Sequence, residues 1–329
     1  DGGYSCRARA GVAVRGGLTP GDPPVMSAPQ PRLPVGLACG LVVPFVWGGW
    51  IVASRFGVLN ALTAYDLTAL RVGVAAIIVL PLVLTRGLAG LPVWKGAVLT
   101  FGVGAPFALA SFGGMTLAPI IHAGVLTNGT MPIFAALVGF FWLRERPSRS
   151  QALGIGLIVV GGLMLGRDSF SIHAPAGQWL GDLLLVGAAG CFAIYMTALR
   201  RWNVSILQAV IAVPTISSAI YIPIWILFLP SGLVPAVLGD APFPPWQEVA
   251  LQAVYQGVVA SFIVVMLITR ATKSIRATTM AVFLAGAPVL AVLLGLVLLA
   301  EIPTNIAWAG LVVTTAGMVL AIGRRPAAD

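Results

Sequence analysis

Ten stretches of nearly unbroken apolar residues limit what this chain can become: 35–54, 65–84, 94–113, 119–142, 150–166, 179–199, 206–229, 247–269, 277–299 and 304–322. Each is close to the ~20 residues an α-helix needs to cross the hydrocarbon of a bilayer. Each is apolar all round, whereas a surface helix keeps a polar face. Membrane strands are about half as long and alternate in polarity. In lipid every backbone N–H and C=O must be paired internally, which leaves the helix. The expected fold class is an all-α integral membrane protein of ten transmembrane helices. Only 9% of residues are charged, against about 25% in a soluble domain.

The basic residues orient the runs. Arg32, Arg86, Lys95, Arg144, Arg146, Arg149, Arg200, Arg201, Arg270, Lys273, Arg276, Arg324 and Arg325 flank them on one side; Arg55 and Arg167 flank them on the other. Short cytoplasmic loops carry the excess of Lys and Arg, so both termini are expected in the cytoplasm. The +9 net charge is thus a membrane-topology signal and no sign of nucleic-acid binding. Arg outnumbers Lys and Ala and Gly are abundant, a bias that points to a GC-rich bacterial genome, so the expected location is a bacterial cytoplasmic (inner) membrane.

Residues 1–33 read as a disordered tail rich in Gly, Pro and Arg, with 1–25 expected to be non-native because Met26 is the first methionine. It lacks the apolar core of a signal peptide. Cys6, Cys39 and Cys191 form no CxxC, and His122 and His173 are the two histidines, so no metal site or cofactor is expected. No GxxxxGK[ST] motif is present, which gives no support for nucleotide hydrolysis.

The fourth and fifth runs recur 156 residues later. Pro132 falls on Pro288, Glu145 on Glu301, Pro147 on Pro303, Gly154 on Gly310 and Gly161 on Gly317. The repeat unit therefore holds five helices, residues 34–167 and 178–323. An odd number of crossings inverts the second copy, as in many secondary transporters.

These two segments, PIFAALVGFFWLRERPSRSQALGIGLIVVGG (132–162) and PVLAVLLGLVLLAEIPTNIAWAGLVVTTAG (288–317), resemble the recurring motif of EamA-like transporters in the drug/metabolite transporter superfamily. The second-run segment YDLTALRVGVAA is also similar to the first-repeat pattern. The resemblance implies ten helices, cytoplasmic termini, a central cavity, and movement of amino acids, related metabolites or drugs, often outward. It is silent on the solute.

Candidate residues of the substrate path follow from cost. Arg71 lies about 9 Å into the second helix at roughly 1.5 Å per residue. A charge inside a membrane helix costs roughly 2.5–3.5 kcal/mol on insertion scales and turns inward or to a wet cavity. Arg71 is read as partner to an anion or carboxylate; pairing with Asp66 or snorkelling is the alternative. Its repeat counterpart, aligning Pro81 with Pro223, is Val213, so the site is expected to be asymmetric. His122 is a protonatable group, which leaves proton coupling open. Asn128, with Thr127 and Thr130, precedes Pro132, which frees the Asn128 carbonyl. Trp47, Trp50, Tyr195, Tyr255, Gln256 and Ser261 suit an amphiphilic wall. Pro132, Glu145, Pro288 and Glu301 read as structural, the glutamates binding the N-termini of the fifth and tenth helices.

The expected function is a secondary transporter of a small metabolite working by alternating access, with the bilayer as its environment and as monomer or homodimer. A channel or a translocator of lipid-linked substrates is the alternative. A membrane enzyme would need a cluster of acids or histidines at one level, and the sequence indicates none.

Overall fold

The structure, a computed structural model, describes residues 33–172, 174–272 and 277–322. The expected N-terminal tail through Arg32, with Cys6, and His173, Lys273, Arg276, Arg324 and Arg325 lie outside these residues. The described chain is helical: α1 (Leu33–Leu59), α2 (Ala64–Arg86), α3 (Val93–Leu117), α4 (Ile120–Leu143), α5 (Arg149–Ser169), α6 (Gln178–Arg201), α7 (Ile206–Phe228), α8 (Trp246–Ile268), α9 (Phe283–Leu298) and α10 (Asn305–Ala321). Among the described residues eight helices, α1 to α8, are long and apolar enough to cross a membrane by length and composition; α9 and α10 are apolar but shorter. The run 277–299 is not one straight helix. It breaks at Gly286 between Ala277–Ala285 and Ala287–Leu298.

Local chemistry explains where helices begin. The first N–H groups of a helix lack partners. In α2, α5 and α7 they are met by reciprocal capping pairs: Thr63 with Asp66, Ser148 with Gln151, and Ser205 with Gln208. Pro132 and Pro288 occupy the same role at two interior breaks. Each stands in the first turn of a half-helix, Met131–Val138 and Ala287–Leu298, where a missing N–H costs nothing. The break before Pro132 is made by a π-helical stretch, Ala123–Gly129.

Helix pairing repeats. The helix α1 packs on α8 and α9, and α6 packs on α3 and α4; α2 packs on α7, and α5 on α10. Moving every helix five places along leaves this pairing unchanged. The α5–α10 crossing is backbone to backbone. A Cβ on Gly317 would stand 2.7 Å from the Gly154 carbonyl, and one on Gly161 2.8 Å from the Gly310 carbonyl. Gly154 meeting Gly317 while Gly161 meets Gly310 makes the two helices antiparallel. Small residues allow such approach in lipid, where packing replaces hydrophobic driving force.

Two matched ion pairs stand at the two ends of the bundle. At one end Arg55 of α1 holds Glu301, which follows α9, with Nε–Oε1 2.8 Å. At the other, Arg200 of α6 holds Glu145, which follows α4, at 2.6 Å. Both glutamates follow a residue in the left-handed region, Arg144 (φ 57°) and Ala300 (φ 53°), which also stand 156 residues apart. That conformation costs an L-residue about 1–2 kcal/mol. The glutamates do not bind α5 and α10 as their position suggests. Glu301 Oε2 instead accepts the Ile120 N–H, at the start of α4, at 2.7 Å. Each glutamate reaches the first helix of the opposite repeat.

Candidate substrate cavity

Between the helices of both repeats lies a cavity of about 490 Å³. Its wall runs from Trp47, Trp50 and Arg71 in mid-bundle to Leu199, Val204 and Ile206 at the Arg200 end. Arg55, His122 and Glu301 are not part of it.

Arg71 is positioned by α2, whose start is pinned by Asp66. The Asp66 carboxylate accepts from Thr63 N–H (3.0 Å), Trp225 Nε1 (3.1 Å), Ser231 Oγ (2.5 Å) and Gly232 N–H (3.0 Å). Asp66 is therefore committed, and the alternative Asp66–Arg71 pair does not form. The guanidinium of Arg71 instead lies over Trp50 and Phe107, 5.6 and 5.8 Å from their ring centroids. Stacked aromatic faces favour a cation, by about 0.5–2 kcal/mol, but supply no acceptor. Its Nη1 is buried without a hydrogen-bond partner. Val213, the repeat counterpart, lines the same cavity.

The structure brings together Arg71, Trp47, Trp50, Asn128, Tyr195 and Ser261 on this wall. Trp47 meets Phe192 edge-on at 5.9 Å, and Phe107 meets Phe192 at 5.8 Å. Sequence reasoning missed Phe107 and Phe192. One signal was available for Phe192: aromatics three apart and an Arg five later occur as Trp47, Trp50, Arg55 and again as Phe192, Tyr195, Arg200.

Gln256 and Tyr255 are not on the wall; they brace it. Gln256, fully buried, accepts the Trp50 Nε1–H at 2.7 Å and donates to Ser54 Oγ at 2.9 Å and Gln252 Oε1 at 3.1 Å. Tyr255 donates to the Val46 carbonyl at 3.0 Å. Polar side chains in lipid find partners on neighbouring helices, which ties α8 to α1. Asn128 donates to the Gly124 carbonyl at 3.2 Å across the π-helical stretch.

His122 lies outside the cavity, in a buried polar cluster near the Arg55 end. Its Nδ1 is 2.8 Å from Asp182 Oδ1, and its Nε2 is 3.1 Å from Gln178 Nε2 and 3.4 Å from Asp168 Oδ2. Ser169 donates to Asp182, and Thr304 donates to Asp168 at 2.8 Å. The cluster joins α4 and α5 to α6 and the start of α10. The expectation that no histidine and acids gather at one level is thereby corrected: these partners sit at four helix ends far apart in the chain, and only packing brings them together.

No curated protein matches this chain. A solved structure, described as "Crystal structure of protein", aligns over 87% of this chain and 96% of its own at 19% identity, with a TM-score of 0.56, a likeness in fold. The EamA-like transporter family matches twice, over residues 34–167 and 179–323. Two tandem matches over most of the described helices place this chain in the EamA-like transporter family.

Proposed function

We propose that this protein is a secondary transporter that moves a small organic metabolite outward across a bacterial inner membrane by alternating access, without catalysis or a cofactor. The observation that carries the reading is Arg71: a charged side chain whose Nη1 is buried without a hydrogen-bond acceptor, on the wall of a cavity lined by both repeats. A structural arginine this deep in lipid would be paired; a solute site keeps it available.

Ten crossings, with α9 and α10 completing the bundle, form two inverted halves. The antiparallel α5–α10 contact and the exchange of helix pairing under a five-helix shift support inversion. Basic residues concentrate at the Arg200 end, so that end is cytoplasmic and the cavity opens inward. The Arg55–Glu301 pair and the His122 cluster then close the outer side, each joining the two halves. Rocking of the halves breaks these outer contacts and closes the cavity at the Arg200 end.

The test is reconstitution in liposomes with a panel of amino acids, nucleobases, sugars and organic acids. Saturable, counterflow-competent flux of at least one solute is expected, lost in Arg71→Ala of unchanged abundance. Flux that does not saturate, as through a channel, or wild-type flux in Arg71→Ala would overturn the reading. Single cysteines at positions 170 and 240 are expected to label from outside.

A further inference from the structure

The hydrogen-bonding groups of the cavity are out of balance. Two buried donors on its wall, Arg71 Nη1 and Trp47 Nε1, have no partner. Arg71 is the one charged residue among the described residues of the wall. The nearest acid in sequence, Asp66, accepts from five donors on four other residues. The other polar side chains on the wall, Asn128, Ser261 and Tyr195, are neutral; Asn128 and Ser261 each donate to a carbonyl of their own helix, Gly124 and Gln256. The rest is aromatic or aliphatic.

A solute entering this space meets a cation with no counter-ion. Buried charges require a partner of opposite sign, and an Arg fork matches a carboxylate with two parallel hydrogen bonds. A monoanion leaves the site neutral. The carboxylate of a zwitterion pairs with Arg71 but leaves its ammonium as an uncompensated buried positive charge, which finds neutral oxygens and ring faces and no acid on the described wall. A cation adds repulsion. Trp47 Nε1 supplies one further donor for an acceptor oxygen, and the ring faces of Trp50, Phe107 and Phe192 accept a flat apolar body.

Resting on the transport reading above, we infer that the cavity selects small organic anions, a carboxylate on a flat apolar body without an ammonium group, over zwitterionic amino acids and cationic solutes.

Three probes share a ring and side-chain skeleton and differ in charge: 3-phenylpropanoate, phenylalanine and phenethylamine. Binding to the full chain in detergent is read by titration, and counterflow in proteoliposomes. The expected result is saturable binding and counterflow of 3-phenylpropanoate, with phenylalanine weaker by about tenfold or more, a difference of about 1.4 kcal/mol, and phenethylamine weakest. Arg71→Gln is expected to erase the preference. Trp47→Phe, which keeps the ring and removes the donor, is expected to weaken the anion several-fold while folding normally. Phenylalanine binding as well as or better than 3-phenylpropanoate overturns the inference, as does a preference that survives Arg71→Gln. Flux of sugars or nucleobases alone overturns the anion inference and leaves the transport reading standing. No flux of any solute through folded protein overturns both.

Discussion

Glu301→Ala separates the two ends of the molecule energetically. The Arg55 and Glu301 side chains are only 11% and 20% exposed, whereas Arg200 and Glu145 are 51% and 50% exposed. Removing one partner of a fully buried pair costs about 3–5 kcal/mol because the other charge is stranded. Discounting for partial exposure, Glu301→Ala should cost about 2 kcal/mol, since Arg55 and the Ile120 N–H both lose an acceptor. A two-state equilibrium then shifts roughly 30-fold toward opening of the Arg55 end. Glu145→Ala, at a half-exposed pair, should cost under about 1 kcal/mol. Spin labels at Asn60→Cys and Ile302→Cys, in a background with Cys6, Cys39 and Cys191 replaced, report the separation across the Arg55 end. The distance distribution should broaden and lengthen in Glu301→Ala and change little in Glu145→Ala. Glu301→Gln keeps an acceptor for Ile120 and should fall between. Equal shifts from the two alanine variants, or no shift in a folded Glu301→Ala, would refute the assignment of that pair as the tighter latch.

Further outcomes follow from the same geometry. Gly161→Leu drives a side chain into the Gly310 carbonyl and should cost about 1–3 kcal/mol, read as a lowered melting temperature in detergent. His122→Ala strands two buried carboxylates and should cost about 3 kcal/mol; adding Asp182→Asn should recover part of the lost melting temperature, and no recovery would mean the acids are not the cause. Gln256→Leu leaves the Trp50 indole without its acceptor, at about 1–3 kcal/mol. Solute affinity should fall and tryptophan emission change, while Gln252→Leu, which does not touch the indole, should leave emission unaltered. Ala300→Gly relieves a left-handed residue and should raise stability by about 0.5–1 kcal/mol, measured by thermal unfolding.

The helical class was legible in the apolar runs because hydrocarbon offers the backbone no partners, so a long apolar segment has one way to satisfy itself. The repeat was legible because Pro132, Glu145 and the paired glycines perform local tasks that recur: starting a half-helix, following a left-handed residue, letting backbones touch. Arg71 was legible because a charge in lipid is costly wherever it points. What the tertiary structure alone decided is partnership. Arg55 and Glu301 stand 246 positions apart, and neither shows in local spacing that it reaches into the other repeat. His122 read as a solitary protonatable group on the path, and folding placed it among Asp168, Asp182 and Gln178 away from the cavity. Gln256 read as a wall residue and proved to be the brace behind Trp50. Spacing along a helix determines which face a residue occupies; which neighbour that face meets depends on how the helices pack, and that is settled by contacts distant in the chain.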